Sequence, residues 1–276
     1  MTKQEIIRIA EDLMKDSTLA ELSADVAAQL GIPDCSFFDS PLIGIAYAGD
    51  VLFEDMKQPQ AIGPHFITPK QWLEGAESVV SIFVPYSQAV KKANSSCQKD
   101  KVAPEYVFAK NAAVPYIDAL VEKLTDIIKN EGYSVVVPSK ESARMKTALT
   151  SPDGSRLKFT SGWSERHVAY ICGLGSFGIS GALITTKGAA GRFISLVTDM
   201  PLEADTRNYA DVYEYCTFCG GCAARCPADA ITMEKGKDKA KCSAFVDSTK
   251  AEFDPLYGCA KCQCGVPCAN GIPQKK

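Results

Sequence analysis

Cys216-Thr-Phe-Cys219-Gly-Gly-Cys222-Ala-Ala-Arg-Cys226-Pro227 is the stretch on which the reading of this chain turns. Its C-x2-C-x2-C-x3-C-P spacing ligates [4Fe–4S] clusters, and the fourth cysteine serves a different cluster from the first three. Three cysteines set two residues apart let a tight loop wrap one corner of a cubane. The fourth leaves on a short helix toward another. Gly220 and Gly221 relieve crowding where backbone nears sulfide, and can offer N–H donors to it. Pro227 stops the chain from continuing as it came in.

One such run demands a second set of ligands, supplied by Cys242 and by Cys259-Ala-Lys-Cys262-Gln-Cys264-Gly-Val-Pro-Cys268. The spacing assigns Cys216, Cys219, Cys222 and Cys268 to the first cluster, and Cys226, Cys242, Cys259 and Cys262 to the second. Nine of the twelve cysteines lie in this region, so one is left over. Cys264 and Cys268 compete for a single place; Cys268 is preferred because it follows a proline and sits farther along the chain. A zinc site would use four thiolates and leave the rest idle. Disulfides need an oxidising compartment, and no export signal precedes the chain. Cys35, Cys97 and Cys172 stand apart and read as buried small hydrophobes.

Upstream of the cysteines the pattern is that of a layered domain. Residues 3–30 read as two helices, the second ending near Gly31. Pro41–Tyr47 and Ser78–Val84 read as buried strands. Thr68-Pro69 reads as a cap and first turn opening a short helix. Ile117, Leu120, Val121, Leu124, Ile127 and Ile128 mark a helix over 112–130, followed by a strand over Tyr133–Val137. The polar stretch 139–163 reads as a long loop. A helix follows near 165–172, then the glycine-rich GLGSFG. Next come strands at Ala182–Thr186 and Phe193–Thr198, joined as a hairpin through Gly188–Gly191. The composition shifts near 201–211. The expected architecture is an α/β (α+β) domain over 1–205 and a bacterial-ferredoxin-like domain binding two [4Fe–4S] clusters over 206–276.

With 46% apolar and 23% charged residues the 276-residue chain has the composition of a soluble globular protein. The formal charge is -3, and two thiolate-bound clusters would add about -4. That balance gives no bulk positive surface for nucleic acid. No apolar run is long enough for a membrane span, and the expected address is the cytoplasm. Lys235, Lys237, Lys239 and Lys241 read as a solvated loop able to steer an acidic electron donor.

The segments Arg166–Gly178, Ala182-Leu-Ile-Thr-Thr186 and Val197-Thr-Asp-Met-Pro-Leu202 resemble the "AGLGW-G" helix, hairpin and "TD-PL" segments of epoxyqueuosine reductases. That family is related to the corrinoid reductive dehalogenases. The order of cysteines is similar too, including lone Cys242 and the Tyr257-Gly-Cys259 start of the second set. The likeness spans roughly 40–276 and is strongest from 165 onward. It implies a cobalamin on the α/β domain, reduced by a nearby cluster, with Gly173, Leu174, Gly175 and Gly178 against the corrin. His167, on the helix leading into GLGSFG, would face the ring or donate a proton, although a lone helical histidine is more often structural. Lys158, Glu165, Arg166 and Tyr170 are neighbouring polar groups without an assigned role. Arg166 is a candidate to pair with a carboxylate. GLGSFG as a dinucleotide fingerprint fails on context, since it follows a helix and leads into strands.

Departures from that family shape the functional expectation. The segment compared with its acidic "VDSAP" stretch, Val135–Glu141, has no aspartate, and the second cysteine set ends in GVPC. The helical-repeat extension that holds tRNA in those enzymes is absent, and the acidic balance also counts against tRNA. The leading expectation is an iron–sulfur reductase passing electrons through two [4Fe–4S] clusters to cobalamin. Its donor would be a ferredoxin or flavodoxin, and its substrate a small molecule or corrinoid protein. The alternative is a ferredoxin-like electron carrier without cobalamin or substrate chemistry. No catalytic residue is assigned.

Overall fold

A computed structural model describes residues 1–15, 36–151 and 153–274. Its centre is strand β2 (Ser78–Pro85), every residue of which is buried. The run Val79-Val80-Ser81-Ile82-Phe83-Val84 suits an interior strand, because β-branched and aromatic side chains pack well on a pleated surface. β2 pairs on one side with β1 (Leu42–Tyr47) and on the other with β6 (Gly191–Thr198), which in turn pairs with the short β3 (Val135–Val136). All three pairings are antiparallel, with Ile43 opposite Ile82 and Ile82 opposite Ile194. This region is therefore a mixture of helix and sheet, and the sheet is antiparallel.

Because side chains alternate along a strand, β2 feeds two cores. Val80, Ile82 and Val84 face helices α1 (Lys3–Met14) and α5 (Pro104–Asn130), meeting Ile6, Ala10, Tyr116, Leu120 and Leu124. Val79 and Phe83 face α7 (Glu165–Ile171), meeting Trp163, Val168, Ala169 and Ile171. Two short helices, α2 (Val51–Asp55) and α3 (Pro69–Trp72), close the second face, with Gln71 Oε1 accepting the Thr68 N–H. Helix α4 (Gln88–Ser96) follows β2. Helix α5 starts earlier than its periodicity foretold, since Pro104 opens it and Tyr106, Val107 and Ala109 bury the added turns. The expected second N-terminal helix and Cys35 lie outside the described residues.

Two expectations need correction. The stretch 139–163 is not all loop: Ser142–Ala148 forms helix α6. It buries no residue, so it left no apolar period to read. It is held by Arg144, whose Nη1 donates to Trp72 O at 2.9 Å and whose guanidinium stacks 4.3 Å over the Trp72 ring. Nor do the strands after GLGSFG form a hairpin with each other. Leu183–Thr185 (β5) pairs with Gly175–Phe177 (β4), while β6 joins the large sheet. The turn between β5 and β6 instead serves as a seat for the C-terminal segment. A side chain on Gly188, at φ +90, would strike Ala269 O at 2.1 Å, and the neighbouring Ala189 N–H donates to Cys268 O at 3.0 Å.

The strand expected at Tyr133–Val137 shrinks to two residues. Residues 201–211 cross back over the first domain and are pinned there. Asp205 accepts from Ile45 N and Lys3 Nζ, and Tyr209 Oη donates to Tyr170 O at 2.5 Å. Beyond them lie α8 (Gly221–Ala224), β7 (Ile231–Thr232), β8 (Gly236–Lys237), α9 (Lys239–Ser248) and α10 (Lys250–Phe253). None of these three helices buries a residue.

Candidate functional site: two thiol cavities and a polar cleft

The cysteines of the C-terminal segment separate into two cavities. Cys216, Cys219, Cys222 and Cys268 line one, together with Gly178, Ile179, Ser180 and Pro267. Cys226, Cys242, Cys259 and Cys262 line another, of about 180 Å³, walled by Tyr106, Phe245 and Lys237. Cys226 thus turns away from the three cysteines that precede it in sequence. Cys264 lines neither cavity. It is fully buried in the main core, where its thiol bonds to the Asn94 side chain. Of the scattered cysteines, Cys172 is buried and Cys97 half-buried.

Local backbone explains how the loops curl around the thiols. Two of the three C-x-x-C pairs contain one non-glycine residue in the left-handed region: Phe218 at φ 49 beside Cys219, and Ala260 at φ 50 beside Cys259. Such residues are held at a cost of roughly 1–2 kcal/mol, so the surrounding structure must favour the curl. α4 docks the second loop. Asn94 Nδ2 donates to Cys259 O at 2.8 Å, and the fully buried Lys261 donates to Asn94 O and Cys97 O at the C-terminal end of that helix. Lys237 lines the second cavity, so the lysine stretch is only partly a solvated loop. Lys239 donates to Phe159 O at 2.8 Å.

The donor set has a clear chemical preference. Burial pushes the thiols of Cys259 and Cys268 up to about 12 and that of Cys222 up to about 11. Thiolates are costly in such surroundings unless a cation sits among them. Among the described residues, no group of three or more His, Cys, Asp or Glu side chains is arranged to hold a single metal ion. Within each set the cysteines line a cavity.

Beside the second thiol cavity lies a polar cleft of about 360 Å³, and the two share Tyr106 and Gln263 as walls. Its other lining groups include Tyr86, Trp163, Glu165, Arg166, Arg192 and Phe193. Arg166 stands in a recess: its side chain is exposed, yet burial depresses its pKa, as does the nearby Arg192 charge. Among the described residues no carboxylate pairs with Arg166, contrary to the sequence expectation. Glu165 is held through Ser195 on β6, whose Oγ donates to Glu165 Oε2 at 2.6 Å. Ser195 Oγ in turn accepts from Trp163 Nε1 at 2.8 Å.

The GLGSFG residues are occupied by the protein itself. Gly173, at φ +82, faces Asp205 and Thr206, and a side chain on Gly175 would strike Ile184 O at 2.0 Å. Leu174 is buried in the second core, and Gly178 lines the first thiol cavity. Close backbone packing accounts for Gly175, and the left-handed φ for Gly173. His167 Nδ1 lies 2.8 Å from Ser164 Oγ, and its ring packs 4.8 Å from that of Phe177. Burial, with the Lys239 and Arg166 charges, lowers its pKa to about 4, so it is neutral at pH 7. Tyr86, Tyr106, Arg192, Ser195 and Gln263 escaped the sequence reading. They come from separate segments that no spacing connects.

Known proteins give this geometry its context. A family profile for a 4Fe-4S binding domain matches residues 210–232. Epoxyqueuosine reductase from Bacillus subtilis is 27% identical over 217 residues, covering 74% of this chain and 50% of that protein. Tetrachloroethene reductive dehalogenase from Desulfitobacterium hafniense is 42% identical over 69 residues, covering 25% of this chain and 12% of that one. A crystal structure of epoxyqueuosine reductase with a tRNA-Tyr epoxyqueuosine-modified stem loop overlays 99% of this chain and 66% of its own. Its TM-score is 0.53, at 19% identity.

The chain spans about half the length of the first curated relative. Over 217 residues it is similar to an epoxyqueuosine reductase, and over 69 residues to a reductive dehalogenase. The argument against tRNA is not borne out, since a protein sharing this fold was solved with a tRNA stem loop. Among the described residues no helix is long and apolar enough to cross a membrane.

Proposed function

We propose that this protein is an iron–sulfur reductase that carries two [4Fe–4S] clusters and delivers their electrons to the cleft lined by Arg166 and Arg192. Cys216, Cys219, Cys222 and Cys268 would hold one cluster, and Cys226, Cys242, Cys259 and Cys262 the other. The observation that carries this reading is the partition of eight thiols into two cavities, with Cys226 grouped away from its sequence neighbours. Interleaved ligation needs that partition, and a single zinc site does not. Direction follows from exposure and adjacency. Cys219 is exposed, which makes the first set the port for an external one-electron donor such as a ferredoxin or flavodoxin. The second set shares Tyr106 and Gln263 with the cleft, and is the point of delivery.

Cobalamin is the acceptor that the kinship suggests, and the cleft, at about 360 Å³, would seat an edge of it and not the whole cofactor. Tyr86, Tyr106, Trp163 and Phe193 offer aromatic walls, while Arg166 and Arg192 offer donors to an amide-rimmed ligand. When bound there, cobalamin would supply a low-valent cobalt centre able to reduce a substrate. Anaerobic iron, sulfide and cobalt analysis, followed by cobalamin titration of the iron-loaded protein, tests the assignment. About eight irons per chain and a base-off spectrum on titration are expected. Colourless or zinc-loaded protein would overturn the cluster reading. A titration without spectral change would leave an electron carrier lacking cobalamin.

Epoxyqueuosine reduction is the substrate chemistry that the Bacillus subtilis relative's name brings forward. Restored queuosine in a strain lacking its own reductase would support it, and unrestored tRNA would remove it.

A further inference from the structure

We propose that Glu165 is the proton donor of the cleft, presenting an O–H on Oε1 to the acceptor that the clusters reduce. The inference rests on the proposed electron route, but its geometry is independent of any corrinoid.

The polarity of one hydrogen-bond chain fixes where the proton sits. Trp163 Nε1 can only donate, and does so to Ser195 Oγ at 2.8 Å. Ser195 then has its own hydrogen left for Glu165 Oε2, at 2.6 Å. Oε2 is therefore an acceptor, and any proton on the carboxyl belongs on Oε1. That oxygen is buried and has no hydrogen-bond partner among the described residues. A buried carboxylate oxygen without a donor is costly, and the neutral acid is the cheaper form. Burial accordingly lifts the Glu165 pKa to about 8, against the opposing pull of the Ser195 bond.

The surroundings suit release as well as storage. Arg192 on β6, Arg166 on α7, Tyr86 just after β2 and Tyr106 on α5 line the same cleft, and Cys172 at the end of α7 also feels the Glu165 charge. The Ser195 hydrogen bond to Oε2 favours the carboxylate once the proton has left.

In the step itself, the Oε1–H bond breaks and a bond from hydrogen to the acceptor forms. The O–H electron pair stays on Glu165 as carboxylate. Two electrons reach the acceptor singly from the clusters, which a low-potential one-electron carrier protein re-reduces. Solvent then returns a proton to Oε1.

Infrared spectroscopy of anaerobic, iron-loaded protein without added corrinoid tests this apart from the cobalamin titration. A protonated carboxyl C=O band is expected at pH 7. It should shift promptly in D2O, disappear with a midpoint near pH 8, and be absent from Glu165→Gln. Ser195→Ala removes the bond that favours ionisation and should raise that midpoint, which assigns the band even if Glu165→Gln folds poorly. A wild-type spectrum without the band at pH 7 would overturn the proposal. So would a band that stays unshifted in D2O for hours, because such a proton could not reach the cleft.

Discussion

The sheet domain and the cysteine-rich segment solve the problem of a stable interior by opposite means. In the first, β2 is buried along its whole length, and side chains such as Leu120 on one face and Val168 on the other fill both sides of one antiparallel sheet. In the second, α8, α9 and α10 bury nothing, and the local core consists of Cys226, Ala230 and Ile231 with Ile179 reaching across. One region rests on apolar area, at roughly 25 cal/mol per Å². The other has thiols where side chains would otherwise pack. Its order must then come from what those thiols bind.

The largest effect expected from this contrast is that of removing iron. After anaerobic chelation, amides of α9 and of the loops around Cys219 and Cys259 should exchange almost freely, while those of β2, β6 and α5 stay protected. Hydrogen exchange followed by fragment mass analysis reads this directly. Retained protection in the cysteine segment would show that it has an interior of its own. The converse change is Leu120→Ala, at a fully buried site on α5. It should cost about 2–5 kcal/mol in the denaturant transition of the sheet domain, yet leave iron content intact at low temperature.

Within the cysteine segment, two substitutions of the same chemistry should part company. Cys219→Ala should lose about four of roughly eight irons. Cys264→Ala should keep them all and lose only a buried thiol contact with Asn94, about 1 kcal/mol. Iron loss from Cys264→Ala, with none from Cys268→Ala, would exchange the roles of those two residues.

How much the sequence disclosed follows the same division. Strands β1 and β2 were legible because unbroken apolar runs have few alternatives, and a 4Fe-4S binding segment was legible because ligation imposes spacing. Helix α6 was not, since Arg144 holds it by a cation–π contact and backbone bonds that leave no period. The supposed hairpin failed because glycine spacing marks a turn without naming the strand that pairs afterward. Within GLGSFG, Gly175 is explained by the close approach of Ile184 O, a pairing that the sequence does not name. The cleft was invisible for a further reason: Tyr86, Tyr106, Arg192 and Gln263 lie on elements that meet only once the sheet and the cysteine loops have folded.

The finest test compares one helix cap from each region. Thr2 caps α1, with its Oγ1 accepting the Glu5 N–H at 3.3 Å, and α1 is also anchored by buried Ile6 and Ala10. Asp238 caps α9, with Oδ1 accepting from Ala240 N at 2.9 Å and Lys241 N at 3.0 Å, and no buried residue supports that helix. Replacing either by alanine removes a comparable interaction, about 0.5–2 kcal/mol. In Thr2→Ala the loss should appear as a small fall in the sheet domain's melting temperature, with iron release by chelator unchanged. In Asp238→Ala it should appear as faster iron release instead, because Cys242 is carried on α9 and its N–H donates to Asp238 O. Equal release rates in the two variants would mean that α9 is held by contacts other than its cap and its thiol.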